Sequence, residues 1–193
     1  MKLTLVRHAE VEERYQNCYN GHNEIGLSKK GLVQAKKLAR KLDILEFDAV
    51  FCSDLPRAKE TLKHSSHAKN ALYTDKLREK SWGKHEGLSF DEIIAQGEIE
   101  YVNFLQWIES LGGEPHKEYV KRVEAFFFEF LQRQKKESVL IVTHAGVIRV
   151  LMSIVKKISL EEAFAIKIEN GSYITMELNK KMEKNENIQY IYK

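Results

Sequence analysis

The sequence predicts an α/β protein, a three-layer α/β/α sandwich built on a mostly parallel central sheet. Short apolar runs at residues 3–6 (LTLV), 48–52 (DAVFC) and 139–143 (VLIVT) have the length of buried strands. Between them stand stretches whose apolar residues recur at helical spacing. Strands that alternate with helices form a mostly parallel sheet.

Leu3–Val6 is the first predicted strand, and it ends in Arg7-His8. The polar segment 9–26 (AEVEERYQNCYNGHNEIG) reads as a long loop, a kind that is often functional. Ser28 is the expected N-cap of a helix whose apolar side carries Leu32, Ala35, Leu38, Ala39 and Leu42. Asp48–Cys52 is the second strand. Ser53 or Asp54 is expected to cap the next helix, with Pro56 in its first turn and Arg57 beside it. Leu72–Thr74 reads as a short strand, and the segment 77–90 (LREKSWGKHEGLSF) as an irregular loop.

Helices are predicted over Phe90–Gln96, Glu98–Ser110 and His116–Lys135, with Gly112-Gly113 breaking the pattern between the last two. Val123, Phe127, Phe130 and Leu131 should form the apolar side of the third. The strand at 139–143 leads into a helix over Val147–Val155. Ile166–Ile168 and Tyr173–Leu178 read as strands joined by an Asn170-Gly171 hairpin turn. Ile188–Tyr192 is a candidate edge strand in a charged tail.

A chain of 193 residues fits one domain, spanning residues 1–193, with a sizeable core. Hydrophobic residues make up 43% and charged residues 31%, the balance of a soluble globular protein. A net charge of +3 is too small to suggest nucleic acid as a partner. No apolar run is long enough to span a membrane, and Arg7 interrupts the start too early for a signal peptide. Cys18 and Cys52 have neither metal-ligand spacing nor the number for a disulfide framework, so a reducing cytoplasm is the expected compartment. His64 and His67 share a helix face, but no neighbouring carboxylate or cysteine completes a metal site. No cofactor is expected.

Four features carry chemistry: Arg7-His8, Arg57, Glu79 and His144. Two apolar strands each deliver a histidine to their carboxyl ends, where open α/β sheets hold ligands. A cation at a helix N-terminus opposes the macrodipole, so Arg57 makes sense there if it joins the helix N–H groups in holding an anion rather than the fold. Phosphate suits it, because a guanidinium grips two oxygens at once. Arg7 and Arg57 would keep a nearby His8 neutral and nucleophilic. His144 can donate to a phosphoryl oxygen, and Glu79 is the candidate proton carrier for a departing alkoxide. Each residue also has a plain alternative: a core histidine bonded to backbone, a surface cation, a solvated glutamate.

In combination these segments resemble the histidine phosphatase superfamily, also called phosphoglycerate mutase-like. Its opening Arg-His-Gly-Glu is RHAE here, with Ala9 for Gly. Its second segment is similar to Cys52-Ser53-Asp54-Leu55-Pro56-Arg57 and on to Thr61; its third to Leu77-Arg78-Glu79 followed by SWGKHEG; its fourth to Thr143-His144-Ala145-Gly146-Val147. The order and spacing hold to about Leu178. The resemblance implies His8 as phosphorylated nucleophile, Glu79 as general acid and base, and Arg7, Arg57 and His144 as the phosphate pocket. Val11 and Arg14 stand where members often carry Thr and Asn, which makes Arg14 a candidate substrate contact. His85-Glu86-Gly87 replaces the frequent Trp-Glu-Gly.

The Tyr19-Asn20-Gly21-His22 loop, followed by Gly26-Leu27-Ser28, resembles that of α-ribazole-5′-phosphate phosphatases, as does Gly112-Gly113-Glu114. That likeness adds Gly21 and His22 as candidate substrate contacts. The expected function is a phosphomonoesterase acting on a small phosphorylated metabolite, α-ribazole 5′-phosphate in cobalamin biosynthesis being the candidate. A mutase with the same phosphohistidine and a phosphate-binding module with little turnover are the alternatives. The compact length favours the phosphatase, since mutases of this type generally carry inserts. The expected partner is a small phosphate ester, and a homodimer is left open.

Overall fold

The computed structural model describes residues 1–178, and the candidate strand Ile188–Tyr192 lies outside them. Among the described residues five strands form one sheet: β1 (Lys2–Arg7), β2 (Ala49–Ser53), β3 (Ala71–Thr74), β4 (Ser138–Thr143) and β5 (Tyr173–Glu177). Their spatial order is β3-β2-β4-β1-β5, and all neighbours run parallel except β5, which is antiparallel to β1. The α/β prediction holds, with a five-stranded, mostly parallel sheet flanked by helices.

Successive side chains along each strand point to opposite faces, and helices cover both. Leu3, Leu5, Val139 and Ile141 pack with α5 (His116–Glu124) and α7 (Ala145–Lys156) on one face. Val6, Val50, Leu140 and Val142 pack with α1 (Lys29–Leu42) and α2 (Pro56–Leu62) on the other. Burial from both sides explains why these strands read as unbroken apolar runs rather than alternating ones. A smaller aromatic core gathers Trp82, Ile93, Trp107, Ile108 and Leu111 around α3 (Phe90–Ala95) and α4 (Phe104–Ser110).

Register places the functional ends. Arg7 of β1 is level with Thr143 of β4, so His8 and His144 leave the sheet side by side. β2 pairs Cys52 with Val142, which brings Ser53 to the same edge.

Several local expectations change. Ser28 caps α1 by accepting from the Gly31 N–H at 2.9 Å, as its sequence predicts. The buried stripe of α1 begins at Gly31, not Leu32: Gly31 abuts the Glu10 carbonyl, whereas Leu32 is partly exposed. Neither Ser53 nor Asp54 caps α2. Leu55 holds that position without a side-chain bond, because Ser53 is engaged with His144 and Asp54 with Arg78.

Within the expected Glu98–Ser110 helix, only α4 forms, and it starts at the Asn103 cap. The predicted His116–Lys135 helix is α5, a π-helical stretch at Ala125–Phe130 and then α6 (Leu131–Arg133). The wider π turn lets the adjacent Phe126 and Phe127 both face the core. Ile166–Ile168 forms no strand and no hairpin with β5. The carbonyls of Ile166 and Ile168 instead accept from Arg149 and Arg7. A short helix, α8 (Leu160–Ala165), precedes them with a Ser159/Glu162 capping box.

Candidate active site

A cavity of about 540 Å³ opens at the carboxyl edge of β1 and β4. Arg7, His8, Glu79, Gly146, Arg149 and Asn170 are among the residues that supply its polar part. Tyr15, Tyr19, Trp82, Phe90, Tyr101, Phe104, Trp107 and Phe164 supply an aromatic wall.

His8 is nearly buried, and its Nδ1 lies 2.8 Å from its neighbour's carbonyl, Ala9 O. A carbonyl only accepts, so Nδ1 carries the hydrogen and Nε2 keeps its lone pair. The Ala9 N–H is tied to Thr61 Oγ1 at 2.8 Å, which anchors this corner to α2. Burial, followed by the charges of Arg57 and Arg7, holds His8 well below the usual histidine pKa. The His144 ring centroid stands 5.2 Å from that of His8. Burial, Arg57 and His8 likewise push His144 well down. His144 Nε2 meets Ser53 Oγ at 2.8 Å, while its Nδ1 is buried without a protein partner.

Arg57 is fully buried and does more than sequence suggests. Its Nη1 donates to Asn23 O at 3.0 Å, and its Nη2 to Asn20 O at 3.1 Å and Gly21 O at 2.6 Å. It therefore holds the 20–23 loop, which corrects the expectation that it would hold an anion rather than the fold. Burial pulls its pKa down to about 10, still charged at neutral pH. Among the described residues its Nε has no partner, and neither does the buried Nε of Arg7.

Glu79 is held on both oxygens. Oε1 accepts from Tyr119 O–H at 2.7 Å and Lys80 N–H at 3.1 Å; Oε2 accepts from Gly146 N–H at 2.8 Å. It lines the cavity with His8 and is not a solvated surface glutamate.

The structure brings His8, Arg7 and Glu79 to the cavity, with Arg57 and His144 behind them. Arg14, Gly21 and His22 do not line it. Arg14 is largely exposed and pairs with Glu92 of α3 at 3.2 Å. Gly21 and His22 give their N–H groups to the Glu86 carboxylate at 2.7 and 2.8 Å. Gly21 has no room for a side chain, since a Cβ would overlap the Lys80 carbonyl oxygen. The loop motif is thus clamped between Arg57 and Glu86. Val11, which stands where members of the resembled family often carry Thr, lines the cavity with an apolar surface.

Sequence reasoning passed over Tyr119, Arg149, Asn170 and the bracing role of Glu86. Arg149 lies one helical turn beyond Ala145 on α7, a spacing that could have marked it as facing the same cavity. Among the described residues no helix is long and apolar enough to cross a membrane.

Known proteins resemble this chain in sequence and fold. Residues 3–189 match the family model of the histidine phosphatase superfamily (branch 1). An adenosylcobalamin/alpha-ribazole phosphatase of Escherichia coli (strain K12) is 27% identical over 94% of this chain and 92% of its own. A 2,3-bisphosphoglycerate-dependent phosphoglycerate mutase of Parvibaculum lavamentivorans is 31% identical over 93% of this chain and 91% of its own. Chain length therefore does not separate a phosphatase from a mutase here. The crystal structure of an alpha-ribazole phosphatase from Shigella flexneri superposes with a TM-score of 0.82 at 25% identity, covering 100% of this chain and 96% of that one. Motifs, fold and full-length likeness agree: the chain is a phosphatase enzyme that belongs to branch 1 of the histidine phosphatase superfamily.

Proposed function

We propose that the protein is a phosphomonoesterase that works through a phosphohistidine at His8. The observation that carries this reading is a set of three buried side-chain nitrogens without partners among the described residues, Arg7 Nε, Arg57 Nε and His144 Nδ1, the last a donor when Ser53 Oγ gives its hydrogen to His144 Nε2. All three belong to residues that surround the His8 ring. A phosphoryl group at Nε2 would offer these groups oxygens, which accept strong charge-assisted bonds.

The reaction follows from these positions. The Nε2 lone pair attacks phosphorus, and the bond from phosphorus to the leaving oxygen breaks. Glu79 gives a proton to that oxygen. Water then attacks the phosphohistidine, its proton passes to Glu79, and the phosphorus–nitrogen bond breaks. The arginines and His144 stabilise the charge on the transferring group. Oε1 already accepts two bonds and Oε2 only one, so the proton travels on Oε2.

Among substrates we favour α-ribazole 5′-phosphate. The aromatic wall suits a flat, apolar leaving group, and two of the relatives act on alpha-ribazole compounds by name. The test is to trap the intermediate. Wild type quenched during turnover should carry acid-labile, base-stable phosphate, and His8→Ala should carry none and turn over nothing. Labelling of His8→Ala at the wild-type level would overturn the assignment. Phosphoryl exchange between phosphoglycerates, measured alongside, reads out the mutase alternative raised by the Parvibaculum relative.

A further inference from the structure

We infer that Tyr119 is the positioning residue for Glu79, the side-chain contact of a brace that helix α5 applies to the segment 76–80. The inference rests on the reading of Glu79 as proton carrier and extends it to a residue that touches neither phosphate nor nucleophile in that scheme.

The brace begins at the Gly112-Gly113-Glu114 turn. Glu114 grips Arg122 through two bonds, Nε to Oε1 at 2.8 Å and Nη2 to Oε2 at 2.6 Å. Arg122 in turn donates to the carbonyls of Lys76 and Arg78 at 2.9 Å and of Glu79 at 3.3 Å. His22 Nε2 reaches the same Glu79 carbonyl at 3.1 Å. The main chain at Glu79 is therefore fixed before its side chain is considered.

Tyr119 lies three residues before Arg122, on the same face of α5. It is almost wholly buried, and the Arg122 guanidinium stands 5.1 Å from its ring centroid. Its phenol donates to Oε1 of Glu79 at 2.7 Å, while Gly146 N–H takes Oε2. Two donors on opposite oxygens define the carboxylate plane. Burial and the Glu79 charge push the Tyr119 phenol well above its ordinary pKa, so it keeps its proton and remains a donor. Without the phenol, Oε1 keeps only the longer bond from Lys80 N–H at 3.1 Å, so the carboxylate is held less firmly about its terminal torsion and the approach of Oε2 to the leaving oxygen loosens.

The test is a double-mutant cycle of Tyr119→Phe and Glu79→Gln, read as kcat/KM for an alkyl and an aryl phosphomonoester (glycerol 2-phosphate and 4-nitrophenyl phosphate). Tyr119→Phe should lower kcat/KM for the alkyl ester about tenfold, the worth of one strong hydrogen bond. It should change the aryl ester less than about threefold, because a nitrophenolate leaves with little proton assistance. In the Glu79→Gln background the Tyr119→Phe loss should vanish. Vanadate affinity should stay at the wild-type value. Equal loss from Tyr119→Phe in both backgrounds, or equal loss on both esters, overturns the positioning role alone. An absence of alkyl-selective loss in Glu79→Gln itself overturns the proton-carrier reading, and the positioning role with it. Arg122→Lys keeps the charge but cannot span Glu114 and three carbonyls. It should reproduce the alkyl-selective loss and so supplies a second readout if Tyr119→Phe folds poorly.

Discussion

Gly146 and Glu79 are in direct contact: the Gly146 N–H holds Oε2 at 2.8 Å, and a Cβ on Gly146 would overlap Oε1. That Cβ would also stand 2.8 Å from the Tyr119 hydroxyl. The glycine after His144-Ala145 is thus explained by close approach at the start of α7. Gly146→Ala should fold, because alanine is at ease in a helix, yet it should push the carboxylate aside. The expected result is a loss of about 10–10² in kcat/KM for alkyl phosphates with vanadate affinity unchanged. Steady-state kinetics and a vanadate titration check it; wild-type rates on alkyl substrates would show that the contact is idle.

Glu79→Gln removes the proton and keeps the shape. Phosphorylation of His8 by an alkyl phosphate should slow by about 10²–10⁴, and by an activated aryl phosphate far less. Water must still be deprotonated in the second step, so the aryl substrate should leave phosphoenzyme accumulating. Rapid quench measures both steps. Small, equal effects without accumulation would move the role to another carboxylate.

The parts of this site that sequence reveals are those set by strands. β1 and β4 are apolar because helices cover both faces, and their register alone brings His8 beside His144. A reader of the sequence sees both runs and both histidines. Glu79 is harder, because its surroundings come from Tyr119 and Gly146, 40 and 67 residues away. The local sequence around it is polar and loop-like. Gly21 and His22 are hard to place from sequence for a related reason, although Tyr19 and Asn20 of the same loop line the cavity. Gly21 and His22 look like ligand contacts, but Glu86 takes their N–H groups and Arg57 the Asn20 and Gly21 carbonyls, both from far away in sequence. Ile166–Ile168 has strand composition, yet its carbonyls serve Arg149 and Arg7. Tertiary demand for acceptors overrode local propensity there.

Arg57 joins fold to function, and its removal should show both. Arg57→Ala leaves three loop carbonyls without their buried donor. The expected loss is roughly 2–4 kcal/mol of stability, together with weaker phosphate binding. Arg57→Lys keeps the charge but not the fork, and should weaken phosphate binding about tenfold. Urea unfolding and a phosphate titration separate the two effects. Unchanged stability in Arg57→Ala would mean the loop holds itself.

His8 and His144, both buried in the cationic pocket, predict an acid-sensitive fold. Both are held well below the usual histidine pKa of about 6.5 by burial and by Arg57. In the unfolded chain they titrate near that usual value. Below it the unfolded state binds more protons than the folded one, so stability must fall as pH falls. The contribution is complete above about pH 6.5 and is lost downward, at up to roughly 1.4 kcal/mol per pH unit for each histidine. The loss levels off once pH drops below the folded-state values. His144→Gln removes one of the two titrations and cannot charge. Its stability between pH 6.5 and 5 should therefore decline less steeply than that of wild type, by about 1–2 kcal/mol over the interval. Urea denaturation at matched ionic strength across pH 5–8 supplies the slopes. Parallel curves for the two proteins would mean that His144 takes up a proton as readily in the folded state as in the unfolded chain, and that the cationic pocket does not keep it neutral.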